Sequence, residues 1–297
     1  MENGAGAGKE FLMRIILGID IGGSTTKIVG LRPDGSILSM LRVQAEDPLT
    51  SLYGALGNFI SSNSLALTDI DHIVLTGVGS SYVKENIYGI PTRKMDEFSA
   101  SGIGGLALSG ADRAVVVTMG TGTAFIWADK TGEIRHLGGG GIGGGTLGGL
   151  CRKLVGMGRF GQIKKLAAGG DLSKVDLTIR DLSSDAAESL HPDMTASNFG
   201  NLAEDASSAD LAAGAVNLVL QAIGTMSVLC CQCCRCETVV LVGSMTTLDQ
   251  TKPAFQLFER LYGIRSIIPE DATFATAIGA ALYSLNQAGG PPLHAPR

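Results

Sequence analysis

Two short loops rich in glycine and hydroxyl side chains are the segments of this sequence best suited to chemistry. The first runs from Asp20 to Lys27 as DIGGSTTK, and the second, MGTGT, ends at Thr123. Glycines let backbone N–H groups approach a phosphate closely, and Ser and Thr hydroxyls donate further hydrogen bonds. Lys27 supplies a positive charge for phosphate, and Asp20 is suited to hold Mg²⁺, directly or through water. Either loop alone could be an ordinary hairpin turn, but the pair predicts a triphosphate held between two hairpins.

Two further segments are candidates for nucleotide contacts. The run GGGGIGGGTLGG at 138–149 matches a dinucleotide fingerprint by chance, since no long apolar strand precedes it and no acidic residue follows at the required spacing. A flexible lip that leads into a helix beginning near Thr146 is the better interpretation, because helix N-termini bind anions. A plain surface loop is the alternative. Ser244 follows an apolar strand and is a candidate for the nucleoside, although a simple turn at the strand end fits equally well.

The elements that must position these loops follow a repeated pattern of strand, Gly turn, strand, turn and strand, which begins near residue 14 and again near residue 114. Apolar runs predict strands at 14–20, 26–32, 36–43, 71–76, 114–119, 123–128, 238–242 and 264–268. Helical spacing predicts helices at 48–62, 97–109, 146–168, 208–235 and 271–286, the last with Asp271 as its N-cap.

This repeat predicts a duplicated α/β fold with a lobe at 13–112, a second lobe at 113–287, and ligands in the cleft between them at the carboxyl ends of the strands. We expect residues 288–297 to be a disordered tail and residues 1–12 to be a disordered tail or a remnant of cloning. The GAGAGK within residues 1–12 is not a P-loop, because the first Gly and the final Ser or Thr of that motif are missing.

The composition is that of a globular protein that does not bind nucleic acid or membranes. The 297 residues are 45% hydrophobic and 17% charged, with a net charge of −5 and no run of Lys or Arg. No apolar run approaches the roughly 20 residues needed to span a bilayer. The N-terminus is not a signal peptide, so we expect a cytoplasmic protein with reduced thiols.

Five of the six cysteines cluster between Cys230 and Cys236. Their spacing is neither that of a zinc site nor that of a ferredoxin. The cluster continues an apolar helix into a buried strand, where a free Cys behaves as a small hydrophobe. A metal or redox role is the less favoured alternative.

The order of the motifs IDIGGSTTK, DEF, MGTGT, GGGTLGGLC, ASNFGN, VVLVGSM and a closing AIGAAL helix resembles that of the type II pantothenate kinases over residues 14 to about 286. The loop motifs are shared by the wider actin, sugar kinase and Hsp70 superfamily, whereas the Glu-Phe, GGGT-x-x-GL and ASNFG stretches are more specific. The resemblance implies the duplicated actin-like (ribonuclease H-like) ATPase fold and ATP with Mg²⁺ as cofactors. It also implies phosphorylation of pantothenate, the first step of coenzyme A biosynthesis, and a homodimer. Inhibition by CoA or its thioesters is common in that family.

The resemblance also assigns residues. The nucleotide contacts it implies are Asp20, Ile21, Gly22, Gly23, Ser24, Thr25, Thr26, Lys27, Gly120, Thr121, Gly122, Thr123, Gly144, Gly145, Thr146, Leu147, Gly148, Phe160 and Ser244. Glu97 matches the catalytic carboxylate, which would accept the hydroxyl proton in a reaction that otherwise needs positioning and neutralised charge. Without the resemblance, an acidic pair before a helix is more often only favourable charge at the helix N-terminus.

Substrate contacts are expected from Glu97, Ser99, Arg135 and His136. The chain departs from the family at one of these positions. The family usually has an Arg just before the Gly-rich segment, thought to hold the carboxylate of the substrate or the transferring phosphate, and that position here is His136. Either Arg135 substitutes, or an imidazole replaces the forked guanidinium, which is not an equivalent donor.

Three other functions remain open. Activator ATPases of the 2-hydroxyacyl-CoA dehydratases and benzoyl-CoA reductases share an opening like GIDIGGSTTK, but their cysteines lie elsewhere. A sugar or N-acetylhexosamine kinase is the second, although the Cys-x-Cys-Gly motif of one large group is absent. The third is an ATP-binding regulator without catalysis, for which His136 is the best support. His72, His191 and Trp127 are expected to be structural.

Overall fold

A computed structural model of the chain describes residues 14–44, 47–182 and 191–287. The two predicted tails and the GAGAGK segment lie outside the described residues. The strands are β1 (Ile15–Ile21), β2 (Thr25–Leu31), β3 (Ile37–Gln44), β4 (Ile70–Thr76), β5 (Thr92–Lys94), β6 (Arg113–Met119), β7 (Thr123–Asp129), β8 (Ile134–Gly140), β9 (Leu177–Thr178), β10 (Thr195–Ser197), β11 (Thr238–Val242) and β12 (Arg265–Ile267). The helices are α1 (Pro48–Ser62), α2 (Glu97–Ser109), α3 (Gly144–Leu154), α4 (Phe160–Ala167), α5 (Ile179–Leu182), α6 (Ser208–Cys234), α7 (Thr251–Tyr262) and α8 (Ala275–Gln287).

Two five-stranded sheets of identical topology confirm the predicted duplication. The first has the order β3-β2-β1-β4-β5, and the second has the order β8-β7-β6-β11-β12 when read in the same direction. In each sheet an antiparallel three-stranded meander is extended by two parallel strands. Strands β1, β4, β6 and β11 are almost entirely buried, which is why their sequences are continuous apolar runs.

A glycine at the same place in each lobe shows how closely the two halves correspond. Gly77 ends β4 with φ +83°, and Gly243 ends β11 with φ +96°. A Cβ at Gly77 would lie 2.6 Å from Asp20 Oδ1, and a Cβ at Gly243 would lie 2.5 Å from the Met119 carbonyl oxygen. Both positions therefore require glycine for the left-handed backbone and for close approach to the end of the neighbouring strand.

The lobes are joined by α2 and α8, which pack on each other between the two sheets. A Cβ at Gly104 of α2 would overlap the carbonyl oxygen of Ala275, and a Cβ at Gly279 of α8 would overlap that of Ala100. Glycines at these points let the two helix backbones approach directly. This junction fixes the carboxyl ends of β1 and β6 relative to each other.

The core of the second lobe is built on α6, which has fourteen buried residues. By length and composition α6 is the one helix in the described ranges that could cross a membrane, but it packs here against the second sheet and α3, α4 and α7. Burial raises the pKa of the Cys231 thiol to about 12, and Cys236 is also buried. These two thiols lie in the core as predicted for small hydrophobes, whereas Cys233 is exposed. Trp127 is buried in β7, as expected.

Two helix predictions were inaccurate. The predicted helix 146–168 is two helices, α3 and α4, and Gly156 between them has φ +71°. The helix predicted to start at Asp271 begins as a 3₁₀ turn, Ala272–Phe274, and the Asp271 side chain makes no capping hydrogen bond. The amphipathic helix α7 and the short strands β5, β9 and β10 were not predicted.

Candidate active site

The two predicted phosphate loops, one from each lobe, face each other across the cleft between the lobes. They follow β1 and β6 at the carboxyl ends of these strands, and a Cβ at Gly23 would lie 3.6 Å from Thr121 Oγ1. Each loop is closed by a tight turn, in which Gly22 N–H donates to the Thr25 carbonyl (3.0 Å) and Gly120 N–H donates to that of Gly122 (2.9 Å). Gly23, Ser24 and Thr121 are exposed at the tips. The arrangement leaves small residues on both sides of the gap, as a bound triphosphate requires.

Asp20 and Lys27 form a buried ion pair under the first loop. They are register partners on β1 and β2, and Lys27 Nζ lies 3.0 Å from Asp20 Oδ2. Their side chains are only 7% and 11% exposed, so removal of either charge would leave the other unpaired in the interior. The pair places one carboxylate and one ammonium at the end of the central strand, where the phosphates are expected.

Arg42 is a cation at this site that the sequence analysis missed. It is the register partner of Lys27 on β3, so its side chain lies on the same face of the sheet as Lys27 and Asp20. Its Nη2 lies 3.5 Å from the Ser244 Oγ, which belongs to the second lobe. The strand register, once known, is the signal that identifies it.

Glu97 lies close to the Asp20–Lys27 pair. It is the first residue of α2, whose N-cap Asp96 accepts hydrogen bonds from the Ser99 N–H (2.8 Å) and Ser99 Oγ (2.9 Å). The pKa of Glu97 is raised above its ordinary value of 4.5, mainly because the carboxyl is half-buried and also because Asp20 is near, while Lys27 opposes the shift. A half-buried carboxylate with a raised pKa, beside the phosphate loops, suits a proton acceptor.

His136 and Arg135 lie on opposite faces of β8. The His136 ring is stacked on Phe98, with ring centroids 3.9 Å apart and an interplanar angle of 2°. Phe98 belongs to α2, so His136 lies on the face of the second sheet that α2 covers. Arg135 pairs with Trp127 in the register, forms an ion pair with Glu133 (3.0 Å), and lies near Cys234 on the far face. The imidazole and the Arg135 guanidinium therefore lie on opposite sides of the second sheet.

The Gly-rich segment is a tightly packed part of the second loop, not a flexible lip. Residues up to Gly140 belong to β8, and α3 begins at Gly144. The N–H groups of Gly144 and Gly145 donate to the carbonyls of Gly120 and Thr121, both at 2.8 Å. A Cβ at Gly143 would lie 2.7 Å from the Thr121 carbonyl oxygen. Glycine is therefore needed at Gly143 for the close backbone packing that holds the second loop against the start of α3, whereas a Cβ at Gly141 or Gly149 would meet nothing within 4 Å.

Of the other residues predicted to contact the nucleotide, some hydrogen-bond to the backbone and others pack in the core. The Thr123 hydroxyl donates to the Ile142 carbonyl (2.8 Å), and that of Thr146 donates to the Gly141 carbonyl (2.7 Å). Leu147 and Gly148 are buried in α3. Phe160, the first residue of α4, packs in part against the second-lobe core, so its contact with a nucleotide stays a prediction.

Buried hydroxyls without hydrogen-bond partners also mark the cleft. The Oγ1 atoms of Thr76 and Thr118 are in this state on the cleft side of their sheets, whereas Thr26, also without a partner, is the register partner of Ile21 and lies on the outer face that α1 covers. Thr76 is the register partner of Asp20, and Thr118 occupies the place in β6 that Asp20 has in β1. These unsatisfied donors fit a ligand with many acceptor oxygens, such as a phosphate chain. Asp20 fits Mg²⁺, because one carboxylate together with phosphate oxygens and water is the usual environment of this ion.

Comparison with known proteins identifies relatives of the chain. The family model described as Fumble matches residues 114–280, more than half of the sequence. The type II pantothenate kinase of Staphylococcus haemolyticus (strain JCSC1435) is 28% identical over 274 residues, which cover 89% of this chain and 98% of that protein. The type II pantothenate kinase of Staphylococcus aureus (strain USA300) is 29% identical over 221 residues, with 71% of this chain and 82% of that protein covered.

Solved structures show the same fold at low identity. The activator of the 2-hydroxyisocaproyl-CoA dehydratase from Clostridium difficile, with bound ADPNP, has a TM-score of 0.67 at 18% identity and covers 93% of this chain and 96% of its own. A ROK family glucokinase from Streptomyces griseus, in complex with glucose and AMPPNP, has a TM-score of 0.58 at 12% identity, with 91% and 98% covered. These likenesses confirm the duplicated actin-like fold predicted from the sequence.

Proposed function

The chain belongs to the Fumble family, and we propose that it is a pantothenate kinase that transfers the γ-phosphate of ATP to the hydroxyl of pantothenate. The observation that carries the proposal is the position of Glu97, beside the Asp20–Lys27 pair and next to two phosphate loops that face each other. Catalysis of phosphoryl transfer needs positioning, charge neutralisation and a group that takes the proton of the attacking hydroxyl. The described cleft contains one candidate side chain for each of these tasks.

The residues of the first lobe would handle the charge. Lys27 and Arg42 lie on one face of the first sheet, where they would bind phosphate oxygens, and Asp20 would hold Mg²⁺ directly or through water. When bound, Mg²⁺ would neutralise charge on the phosphates. Glu97 would accept the proton from the pantothenate hydroxyl, and its raised pKa brings it closer to the pKa of an efficient base at neutral pH.

The second lobe would hold the nucleotide mainly with backbone and hydroxyl groups. Thr121, exposed at the tip of its loop, would offer its hydroxyl to the phosphates, with the unpaired Thr118 hydroxyl buried beneath it. The packing of Gly143 and Gly145 keeps that loop in place. Ser244, whose Oγ lies 3.5 Å from Arg42 Nη2, would contact the nucleoside. No large side chain of the loop itself would have to move for the phosphates to enter.

Pantothenate carries a carboxylate, and His136 is the group we assign to it. The imidazole is held by its stack on Phe98, on the face of the second sheet that α2 covers. Ser99 is a weaker candidate, because its hydroxyl is already bonded to Asp96. From the resemblance to the type II pantothenate kinases, we further propose a cytoplasmic homodimer that supplies coenzyme A biosynthesis and that CoA or its thioesters inhibit.

The test is a coupled assay of ADP release with ATP and Mg²⁺. Pantothenate, glucose and buffer alone are the three acceptor conditions, and Glu97→Gln is the matched variant of nearly equal size. We expect release that depends on pantothenate and is lost in the variant. Equal release in all three conditions would contradict the proposal and indicate an ATPase, whereas release that depends on glucose would indicate a sugar kinase.

A further inference from the structure

A second cavity, of about 490 Å³, lies in the second lobe and shares no lining residue with the two phosphate loops. Its walls come from α6, the start of α7, β10 and the segment that leads into β9. Its lining includes the carboxylates of Asp176, Asp193 and Asp249, but no Lys, Arg or His among the described residues that form it. The cavity is therefore acidic, and the proposed kinase reaction leaves it without a role.

Asp176 carries the central charge of this cavity. It is only 2% exposed, and its Oδ1 accepts a hydrogen bond from the Phe199 N–H at 2.8 Å. Its Oδ2 accepts from the side-chain amides of Asn217 (2.6 Å) and Asn198 (3.3 Å). All three donors are neutral, and within the described ranges Asp176 has no cationic partner within 4 Å. The Asp176 carboxylate is thus stabilised by neutral hydrogen-bond donors alone, which leaves its charge without a counter-charge in the interior.

The other two carboxylates already have cations. Asp193 pairs with Arg180, and Asp249 lies 3.6 Å from Lys164 Nζ. The missing charge is therefore specific to the buried end of the cavity, where Asp176 lies.

The ASNFG stretch, one of the more family-specific motifs, contacts the Asp176 carboxylate. Two of its members, Asn198 and Phe199, donate to that carboxylate. Phe199 has φ +59°, a left-handed conformation that is uncommon for a bulky residue. In this conformation its N–H donates to Asp176 Oδ1. A residue in an uncommon backbone conformation therefore provides one of the hydrogen-bond donors to the buried Asp176 carboxylate.

A further acceptor in the lining has no partner. The Oε1 of Gln250 is buried without a hydrogen bond, while its Nε2 donates to the Ala167 carbonyl at 2.8 Å. Another part of the lining is apolar and is formed by Leu172, Ala254 and Leu257. The cavity therefore combines a buried carboxylate, an acceptor without a donor and an aliphatic wall, and its volume suits an organic molecule better than a bare ion.

We propose that this cavity binds a small protonated aliphatic amine. Its ammonium group donates to Asp176 and Gln250, and its alkyl chain lies against Leu172, Ala254 and Leu257. An ammonium supplies both the missing charge and the missing hydrogen-bond donors. A neutral alcohol supplies only donors, and a carboxylate would be repelled.

The test compares three probes of equal chain length, n-pentylamine, 1-pentanol and pentanoate, by calorimetric titration into the full chain without ATP. We expect saturable binding of the amine, at least tenfold tighter than binding of either other probe. Equal affinity for the amine and the acid, or no saturable binding of the amine, would overturn the proposal. Because the readout is binding without nucleotide, it is independent of whether the chain phosphorylates pantothenate.

Matched variants locate the site. Asp176→Asn, which removes the charge with little change of shape, should weaken amine binding at least tenfold. Asp205→Asn, which removes a second-lobe carboxylate paired with Lys174 outside the cavity, should leave it unchanged. Ala254→Phe fills the cavity and decides the question if Asp176→Asn does not fold, as judged by circular dichroism. Unaltered amine affinity in Ala254→Phe, or equal losses in Asp176→Asn and Asp205→Asn, would show that the amine binds elsewhere.

Discussion

The two lobes have one strand order but divide the chemistry unequally. At the end of β1, Asp20 lies opposite Lys27 as a buried ion pair. At the equivalent place in β6, Thr118 lies opposite Ala124, and neither is charged. The duplication supplies the geometry of two opposed loops, whereas the charged groups that phosphoryl transfer needs are concentrated in the first lobe. The second lobe offers hydroxyls and tightly packed backbone.

The layers around the sheets also differ. One helix, α1, covers the outer face of the first sheet, whereas α3, α4, α6 and α7 cover that of the second. Two of these helices, α6 and α7, form part of the wall of the acidic cavity around Asp176. The second lobe thus has room for a function that its counterpart lacks.

The largest effect is expected at Glu97, which extends the charged region of the first lobe. Loss of a general base reduces turnover by roughly 100- to 10,000-fold, so Glu97→Gln should lower kcat by this factor while the KM for ATP changes little. The base must be ionised to accept a proton, so wild-type kcat/KM should fall as the pH is lowered through the pKa of Glu97, which lies above 4.5. This pH dependence should be absent from any residual activity of the variant. A variant with more than a tenth of wild-type kcat would contradict the assignment.

Glu97→Gln, which should abolish most of the activity, should also make the folded protein more stable at neutral pH. A raised pKa means that ionisation of Glu97 costs folding free energy above pH 4.5, and that this cost disappears as pH falls below the ordinary value. Glu97→Gln should therefore raise Tm at pH 7, with the difference shrinking toward pH 4, as thermal melts can show. A lower Tm at pH 7 would mean that the carboxylate stabilises the fold instead.

A matched pair of substitutions compares the two lobes directly. Asp20→Asn removes the carboxylate that we assign to Mg²⁺, and we expect kcat/KM to fall by about 100- to 1,000-fold. Thr118→Val removes one hydroxyl at the equivalent place in β6, which should cost at most about tenfold. Steady-state kinetics at several Mg²⁺ concentrations measures both. Equal losses of kcat/KM in the two variants would mean that both lobes contribute equally to stabilising the charge of the phosphates.

The junction between the lobes is tested through its glycines. Gly104→Val places a side chain where the Ala275 backbone lies, so we expect the free energy of unfolding to fall by at least about 3 kcal/mol. The control is Gly54→Ala on the exposed face of α1, where a Cβ meets nothing within 4 Å. That change should raise the free energy of unfolding by about 0.5–1 kcal/mol, because alanine favours a helix. Urea denaturation measures both, and a tolerated Gly104→Val would refute direct backbone contact.

The smallest expected effect distinguishes the two faces of β8. His136→Gln should raise the KM for pantothenate about tenfold, as for loss of one charge-assisted hydrogen bond. Arg135→Gln, on the far face, should change that KM less. The reverse ranking would assign the substrate carboxylate to Arg135 and show that the family's guanidinium had moved by one residue.

Much of the fold could be predicted because the buried strands are continuous apolar runs and the Gly turns recur. The bounds of α1 and α2 agree with the predicted 48–62 and 97–109, and each helix starts after an aspartate, Asp47 or Asp96, whose side chain caps its N-terminus. The sequence could not show that the Gly-rich segment packs against the second loop, because glycine is typical both of flexible chain and of close backbone contact. Arg42 was missed since only the strand register places it beside Lys27.

The most direct test of the central claim is ³¹P NMR of a mixture of the protein, ATP, Mg²⁺ and pantothenate, followed over time. We predict that the γ-phosphate signal is replaced by ADP and one new phosphomonoester in equal amounts, and that Glu97→Gln forms neither. ADP accompanied by inorganic phosphate, without an ester, would contradict the account and show that the cleft hydrolyses ATP rather than phosphorylating pantothenate.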